Sequence, residues 1–215
     1  MELWLDTVDF ELIKQTNKIL NITGVTTNPT IFSKSTLGFN ETINKLLDIQ
    51  NGLVAVQVIA DDYNGMITQA QKFYTLSNRV IIKIPVTING VQAINYLAKN
   101  NIPTLATAVF NTKQLLLSSN AGANYIAPYL GRIENCFKVL EEMINIIKIN
   151  GYSIKIMGAA IRDMDYIINA VKLGIHAITL PQSAIEDLLS DIPQTLDSLQ
   201  KFRTDWKFGD DFINA

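Results

Sequence analysis

Lys83 is the residue of this chain best suited to covalent chemistry. It lies inside the apolar run Val80-Ile81-Ile82-Lys83-Ile84-Pro85-Val86. Charged side chains are rarely left in fully buried strands. Burial disfavours the ammonium form, lowers the pKa and leaves a nucleophilic amine. Such an amine forms Schiff bases with carbonyl substrates. A lysine at a strand end can equally snorkel, with its stem buried and its head in water. What gathers around it decides between the two.

Other polar residues recur at the ends of apolar runs. Asp6 ends the first, and Thr26-Thr27-Asn28-Pro29-Thr30 ends the second. Gln57 and Thr107 belong to the third and fifth. Tyr129 follows the sixth, with Arg132 just after it, and Arg162 follows the seventh. The eighth ends near Thr179-Leu180-Pro181. Each has a plain structural use. Asp6 could cap a helix, and Asn-Pro often makes a turn. Gln57 and Thr107 suit a strand, Tyr129 could only pack, and Arg132 could only start a helix. Taken together they would place an amine, a carboxylate, hydroxyls, amides and two cations on one face of one fold.

That face requires parallel strands. The β-rich runs are Glu2–Leu5, Ile22–Thr26, Leu53–Ile59, Val80–Pro85, Pro103–Val109, Tyr125–Pro128, Ser153–Ala159 and His176–Leu180. Most are continuously apolar, as in parallel strands covered on both faces. Helical patterns separate them: one from Thr7, then Phe39–Gln50, Asp61–Thr75, Gly90–Asn100, Lys113–Ala121, Arg132–Asn150, Arg162–Leu173 and Pro181–Leu189. The spacing of about 27 residues is that of a βα unit. Eight such units predict an α/β fold, a (β/α)₈ TIM barrel, over residues 1–215 as a single domain. A doubly wound open sheet is the second possibility, but no G-x-G-x-x-G loop supports it. Residues 192–215 read as an extra C-terminal helix and tail. Its Phe202, Trp206, Phe208 and Phe212 need an apolar surface, on their own barrel or on a neighbouring subunit.

Composition excludes several functions. The formal charge is −2 with no basic block, so no nucleic-acid partner is expected. One histidine and one cysteine cannot build an ordinary zinc site, and no metal is expected. No apolar run reaches ~18 residues and no signal segment opens the chain, so no membrane partner is expected. A cytoplasmic location is the default for a chain whose only cysteine is Cys136. Charged residues are 18%, below the usual ~25%, which fits surface buried between subunits. Cys136 reads as a small buried residue, Trp4 as core or barrel-bottom filler, and His176 as lying at the amino end of strand eight, away from the chemistry.

At these residues the chain resembles the small transaldolase family, and within it the fructose-6-phosphate aldolase branch. The carrying motifs are Leu5-Asp6-Thr7, Gly24-Val25-Thr26-Thr27-Asn28-Pro29-Thr30 and Val80-Ile81-Ile82-Lys83-Ile84-Pro85-Val86-Thr87. Ile102–Val109, Ala121-Gly122-Ala123, Ala127-Pro128-Tyr129, Arg132-Ile133, Ile178-Thr179-Leu180-Pro181, Lys201-Phe202 and Asp205-Trp206 add to them. The resemblance implies a (β/α)₈ barrel with class I aldol chemistry and neither metal nor cofactor. Lys83 matches the Schiff-base lysine, and Asp6 the carboxylate that contacts donor hydroxyls and moves protons. Asn28 and Thr26 match the dihydroxyacetone site. Gln57 and Thr107 match the pair that holds a catalytic water, and Tyr129 matches the acid/base tyrosine. Arg132 and Arg162 match the cations that hold a substrate phosphate. The implied partners are sugar phosphates or dihydroxyacetone, and further copies of the chain in a pentamer or stacked decamer.

Two positions separate the branches. Transaldolases carry glutamate where this chain has Gln57, and commonly phenylalanine where it has Tyr129. Both choices here follow the aldolase branch. A neutral amide cannot take a proton as a glutamate does, whereas a phenol can donate one. Two departures bear on phosphate. Ala160 stands where the family has a phosphate-binding serine, and a Gly-rich insertion after the arginine matching Arg132 is missing. A hydrogen bond to a charged group contributes about 1.5–3 kcal/mol, so phosphate affinity is expected to fall by roughly tenfold or more. A transaldolase, a deoxyribose-phosphate aldolase and a non-catalytic sugar-binding barrel stay open as alternatives.

Overall fold

The computed structural model describes residues 1–207; Phe208 and Phe212 lie outside the described residues. Eight parallel strands close on themselves in chain order. They are β1 Glu2–Leu5, β2 Gly24–Thr26, β3 Leu53–Gln57, β4 Val80–Pro85, β5 Thr104–Val109, β6 Tyr125–Pro128, β7 Lys155–Gly158 and β8 Ala177–Leu180. Pairing of β1 with β8, Trp4 opposite Thr179, completes the barrel and rules out an open sheet. The helices are α1 Phe10–Ile19, α2 Pro29–Phe32, α3 Phe39–Ile49, α4 Tyr63–Tyr74, α5 Ile88–Lys99, α6 Thr112–Ala121, α7 Cys136–Asn150, α8 Met164–Lys172, α9 Gln182–Leu188 and α10 Pro193–Asp205. Among the described residues no helix is long and apolar enough to cross a membrane.

Helix starts ring the same end of the barrel as the strand ends. Asp9 accepts from the amides of Glu11 and Leu12 and caps α1. Asp62, Thr87, Asn111 and Asp163 cap α4, α5, α6 and α8 in the same way. Each cap satisfies an orphan amide, worth about 1 kcal/mol. Because Asp9 caps α1, Asp6 is left for other work.

Two elements differ from the sequence expectation. The helix expected over Arg132–Asn150 starts only at Cys136, because Leu130–Arg132 forms a 3₁₀ turn and Asn135 takes φ +52°. A left-handed residue cannot sit inside a right-handed helix, so α7 begins just after it. The one-turn α2 is too short to show a 3.6-residue periodicity. It forms because Pro29 presets the first turn and Asn28 caps it.

Inward-facing residues alternate along each strand. Trp4, Ala55, Ile81, Leu105, Ala127, Met157 and Ala177 pack inside the barrel. Gly24 lacks a side chain where the Trp4 ring passes: a Cβ there would come 2.8 Å from the indole. The amino end is closed by Glu2, which accepts from the Tyr125 hydroxyl at 2.9 Å and pairs with Lys155 at 2.5 Å. His176 lies at this end and accepts from the Ile156 amide at 3.2 Å. Trp4 is fully buried and Cys136 is buried, as expected.

Candidate active site

The site follows from the alternation. Two residues beyond most inward positions, toward the carboxyl end, stands a polar residue; β7 is the exception, where Met157 leads to Ala159. Trp4 leads to Asp6, Gly24 to Thr26, Ala55 to Gln57, Ile81 to Lys83, Leu105 to Thr107 and Ala127 to Tyr129. Period two puts each on the inner face, one layer higher. Catalytic groups of barrel enzymes sit at this end. Asp6, Asn28, Gln57, Lys83, Tyr129 and Arg132 line one cavity of about 740 Å³ there.

Lys83 is only 4% exposed, and its Nζ donates to the Thr27 carbonyl at 3.1 Å. Among the described residues no carboxylate lies within ion-pair distance of it. Burial holds the amine below the ordinary lysine range, and the Asp6 charge only partly restores it. Asp6 faces the same cavity. Burial pushes its carboxyl up, against the pull of Lys83, the Thr26 hydrogen bond and Lys34. Thr26 Oγ1 donates to Asp6 Oδ1 at 2.6 Å. Asn28 Oδ1 is committed to the Ile31 amide at 3.0 Å, so its NH₂ remains as a donor to the cavity.

The Tyr129 hydroxyl and Thr107 Oγ1 are hydrogen-bonded at 3.2 Å. The Arg132 guanidinium lies 5.2 Å from the centre of the Tyr129 ring, and Phe110 meets that ring edge-on at 5.5 Å. These contacts fix the phenol in one orientation. Gln57 Oε1 is buried with no hydrogen-bond partner. A buried acceptor in that state is poised for a water or substrate hydroxyl.

Arg162 is not part of this wall. Its guanidinium donates to the Gly131 carbonyl, from Nε at 2.7 Å and from a second nitrogen, and stacks 5.6 Å from the Tyr166 ring. It braces the loop that carries Arg132. Ala160, at φ +54°, does line the cavity and presents only a methyl group. The sequence reading missed Lys34, a second cation at the mouth. It follows α2, and no strand or clear helix pointed to it. A larger groove of about 950 Å³ lies outside the barrel against α5 and α6, with Val91, Tyr96, Leu116 and Leu117 in its wall. It holds no comparable set of reactive groups. Among the described residues no three His, Cys, Asp or Glu side chains gather as a metal site.

Known proteins similar to this chain bear on its family. The family model for Transaldolase/Fructose-6-phosphate aldolase matches residues 3–211. A "Probable transaldolase" of Petrotoga mobilis is 35% identical over 219 residues, covering 100% of this chain and 99% of its own length. Those of Brevibacillus brevis and Methanococcus maripaludis are 34% and 33% identical, each covering 96% of this chain and 98% of its own. Among solved structures, a mandelate oxidase mutant shares the fold alone. Its TM-score is 0.57 at 10% identity, covering 85% of this chain and 64% of that one. The chain belongs to the transaldolase/fructose-6-phosphate aldolase family and is an enzyme of the class I aldolase/transaldolase kind.

Proposed function

We propose that the chain is a Schiff-base aldolase that cleaves or forms fructose 6-phosphate, from dihydroxyacetone and glyceraldehyde 3-phosphate. The observation that carries this reading is the pairing of a buried amine with a phenol rather than a second carboxylate. Tyr129 is hydrogen-bonded to Thr107, and the strand-three position in the cavity is the neutral Gln57. The amine of Lys83 adds to the C2 ketone, and loss of water gives an iminium. The C4 hydroxyl then gives up its proton as the C3–C4 bond breaks, and glyceraldehyde 3-phosphate leaves. The electron pair of that bond neutralises the iminium as an enamine. Protonation at C3 and addition of water release dihydroxyacetone and the free amine. Tyr129 or Asp6, through a water held by Gln57 and Thr107, manages the proton. Thr26 and Asn28 hold the hydroxyls of the three-carbon end. Arg132 takes the phosphate, and Arg162 supports it through the Gly131 carbonyl.

The relatives' names favour a second reading, in which the enamine attacks an acceptor aldehyde and the enzyme is a transferase. Incubation with fructose 6-phosphate, with and without erythrose 4-phosphate, separates them. Free dihydroxyacetone formed without acceptor is the expected result. Sedoheptulose 7-phosphate formed only with acceptor would replace the lyase by a transaldolase. Failure of borohydride to trap dihydroxyacetone on Lys83 would leave a non-catalytic sugar-binding barrel. We also propose a cytoplasmic, homo-oligomeric protein, a pentamer or decamer, in which α10 lies on a neighbouring copy. The exposed Leu196, Leu199 and Phe202 of α10 support this.

A further inference from the structure

The layer rule that places the catalytic residues applies to the eighth strand as well. Ala177 packs inside the barrel, and Thr179 stands two residues beyond it, 2% exposed. β1 lies between β2 and β8, so Thr26 and Thr179 flank the strand that carries Asp6. Their hydroxyl oxygens are 2.6 Å apart, and Thr26 Oγ1 is also 2.6 Å from Asp6 Oδ1. Both threonines are buried.

Hydrogen counting fixes the direction of this chain. A hydroxyl has one proton to give, and an ionised carboxylate only accepts. With Asp6 ionised, the Thr26 proton points at Asp6, and the 2.6 Å contact behind it requires Thr179 to donate to Thr26. Every proton then has an acceptor. A protonated Asp6 can hold its proton on Oδ2 and still accept from Thr26 at Oδ1. A neutral oxygen accepts far more weakly than a charged one, so two hydroxyl donors in series, Thr179 to Thr26 and Thr26 to Asp6, favour the ionised carboxylate.

We propose that Thr179 is a positioning residue of this site, donating to Thr26 so that Thr26 turns its own proton onto Asp6 and keeps Asp6 an acceptor toward the substrate. The idea rests on the reading of Asp6 as the carboxylate of the aldol site. It supplies what that reading lacks: a reason for a buried carboxylate to stay ionised without an ion pair. Burial pushes the Asp6 carboxyl up, and the Thr26 hydrogen bond pulls it down. The other charged groups facing Asp6 are Lys83 from β4 and Lys34 beyond α2, with Arg132 and Asp9 farther round the cavity wall. None of them acts on the Thr26 hydroxyl.

The test is the titration of Asp6 itself, followed by ¹³C NMR of carboxyl-labelled protein and assigned by Asp6→Asn. Thr179→Val keeps the shape of the side chain and removes the donor. It is expected to raise the Asp6 midpoint by roughly one pH unit, a tenfold gain in proton affinity. Thr179→Ser keeps the donor and is expected to restore the wild-type midpoint. Thr179→Ala reads the same shift should the valine variant not fold. An unmoved midpoint in the valine or alanine variant overturns the proposal, as does a serine variant displaced as far as valine. The readout needs no substrate. Borohydride trapping of dihydroxyacetone on the wild-type protein, run in parallel, shows separately whether the aldol reading stands.

Discussion

Lys83 works against the fold that holds it. An amine 4% exposed among strand residues gains one hydrogen bond, to the Thr27 carbonyl, and loses most of its hydration. Lys83→Met is therefore expected to abolish turnover, by at least about 10³-fold, and to raise the melting temperature. The sign follows from linkage. The folded-state pKa is lowered below the ordinary 10.5, so between those two values the unfolded chain holds a proton that the native one lacks. Wild-type stability then rises with pH through that window. The advantage of methionine is largest below the window and shrinks toward pH 10.5. Thermal melts of both proteins across pH check this; a destabilised Met variant at neutral pH would contradict it. Tyr129→Phe separates proton handling from imine formation. It should slow cleavage by about 10²–10⁴-fold while borohydride still traps dihydroxyacetone. Loss of trapping along with turnover would instead make the phenol part of the binding wall. Asp6, Gln57, Thr107 and Tyr129 were legible because each stands at or near the end of an apolar run, whereas Lys34, just past a one-turn helix, was not. Nor was Arg162, since a cation after a strand can face the cavity or brace its wall, and spacing does not distinguish the two.

At the scale of elements, the apolar runs announced the eight strands, and only their ends moved. The loop between β6 and α7 was illegible. A left-handed Asn135 and a single 3₁₀ turn leave no period to detect. That loop carries Arg132, the cation proposed to take the phosphate, and its position depends on a close backbone approach. The Gly131 amide donates to the Ala160 carbonyl at 3.1 Å, and a Cβ on Gly131 would collide with that same oxygen. Gly131→Ala should force the two loops apart and cost about 1–3 kcal/mol of stability. Because Arg132 is the next residue, KM for fructose 6-phosphate should rise more than KM for unphosphorylated fructose. Urea melts and the two KM values measure both effects. Equal changes in the two would mean that the loop does not hold the phosphate.

At the scale of the molecule, the barrel is closed at its amino end and open at its carboxyl end, and α10 belongs to neither. None of the α10 residues is buried. Leu196 is 48% exposed, Leu199 45% and Phe202 66%, three large apolar side chains within two turns. Burying each would contribute roughly 1.5–3 kcal/mol, more than an isolated helix gains by staying in water. The sequence announced this need for a surface but could not name it, because spacing within a helix does not say which partner covers it. If α10 docks on a second copy, replacing Leu199 and Phe202 together by Asp should lower the mass seen by sedimentation from an oligomer to about 24.0 kDa. No α10 residue lines the cavity, so the dissociated barrel should still trap dihydroxyacetone on Lys83. An unchanged mass, or a wild-type protein that is already monomeric, would show that these residues find no partner in another copy. Dissociation with loss of trapping would mean that the cavity walls need a neighbour to hold their shape, and that the oligomer belongs to the catalytic apparatus.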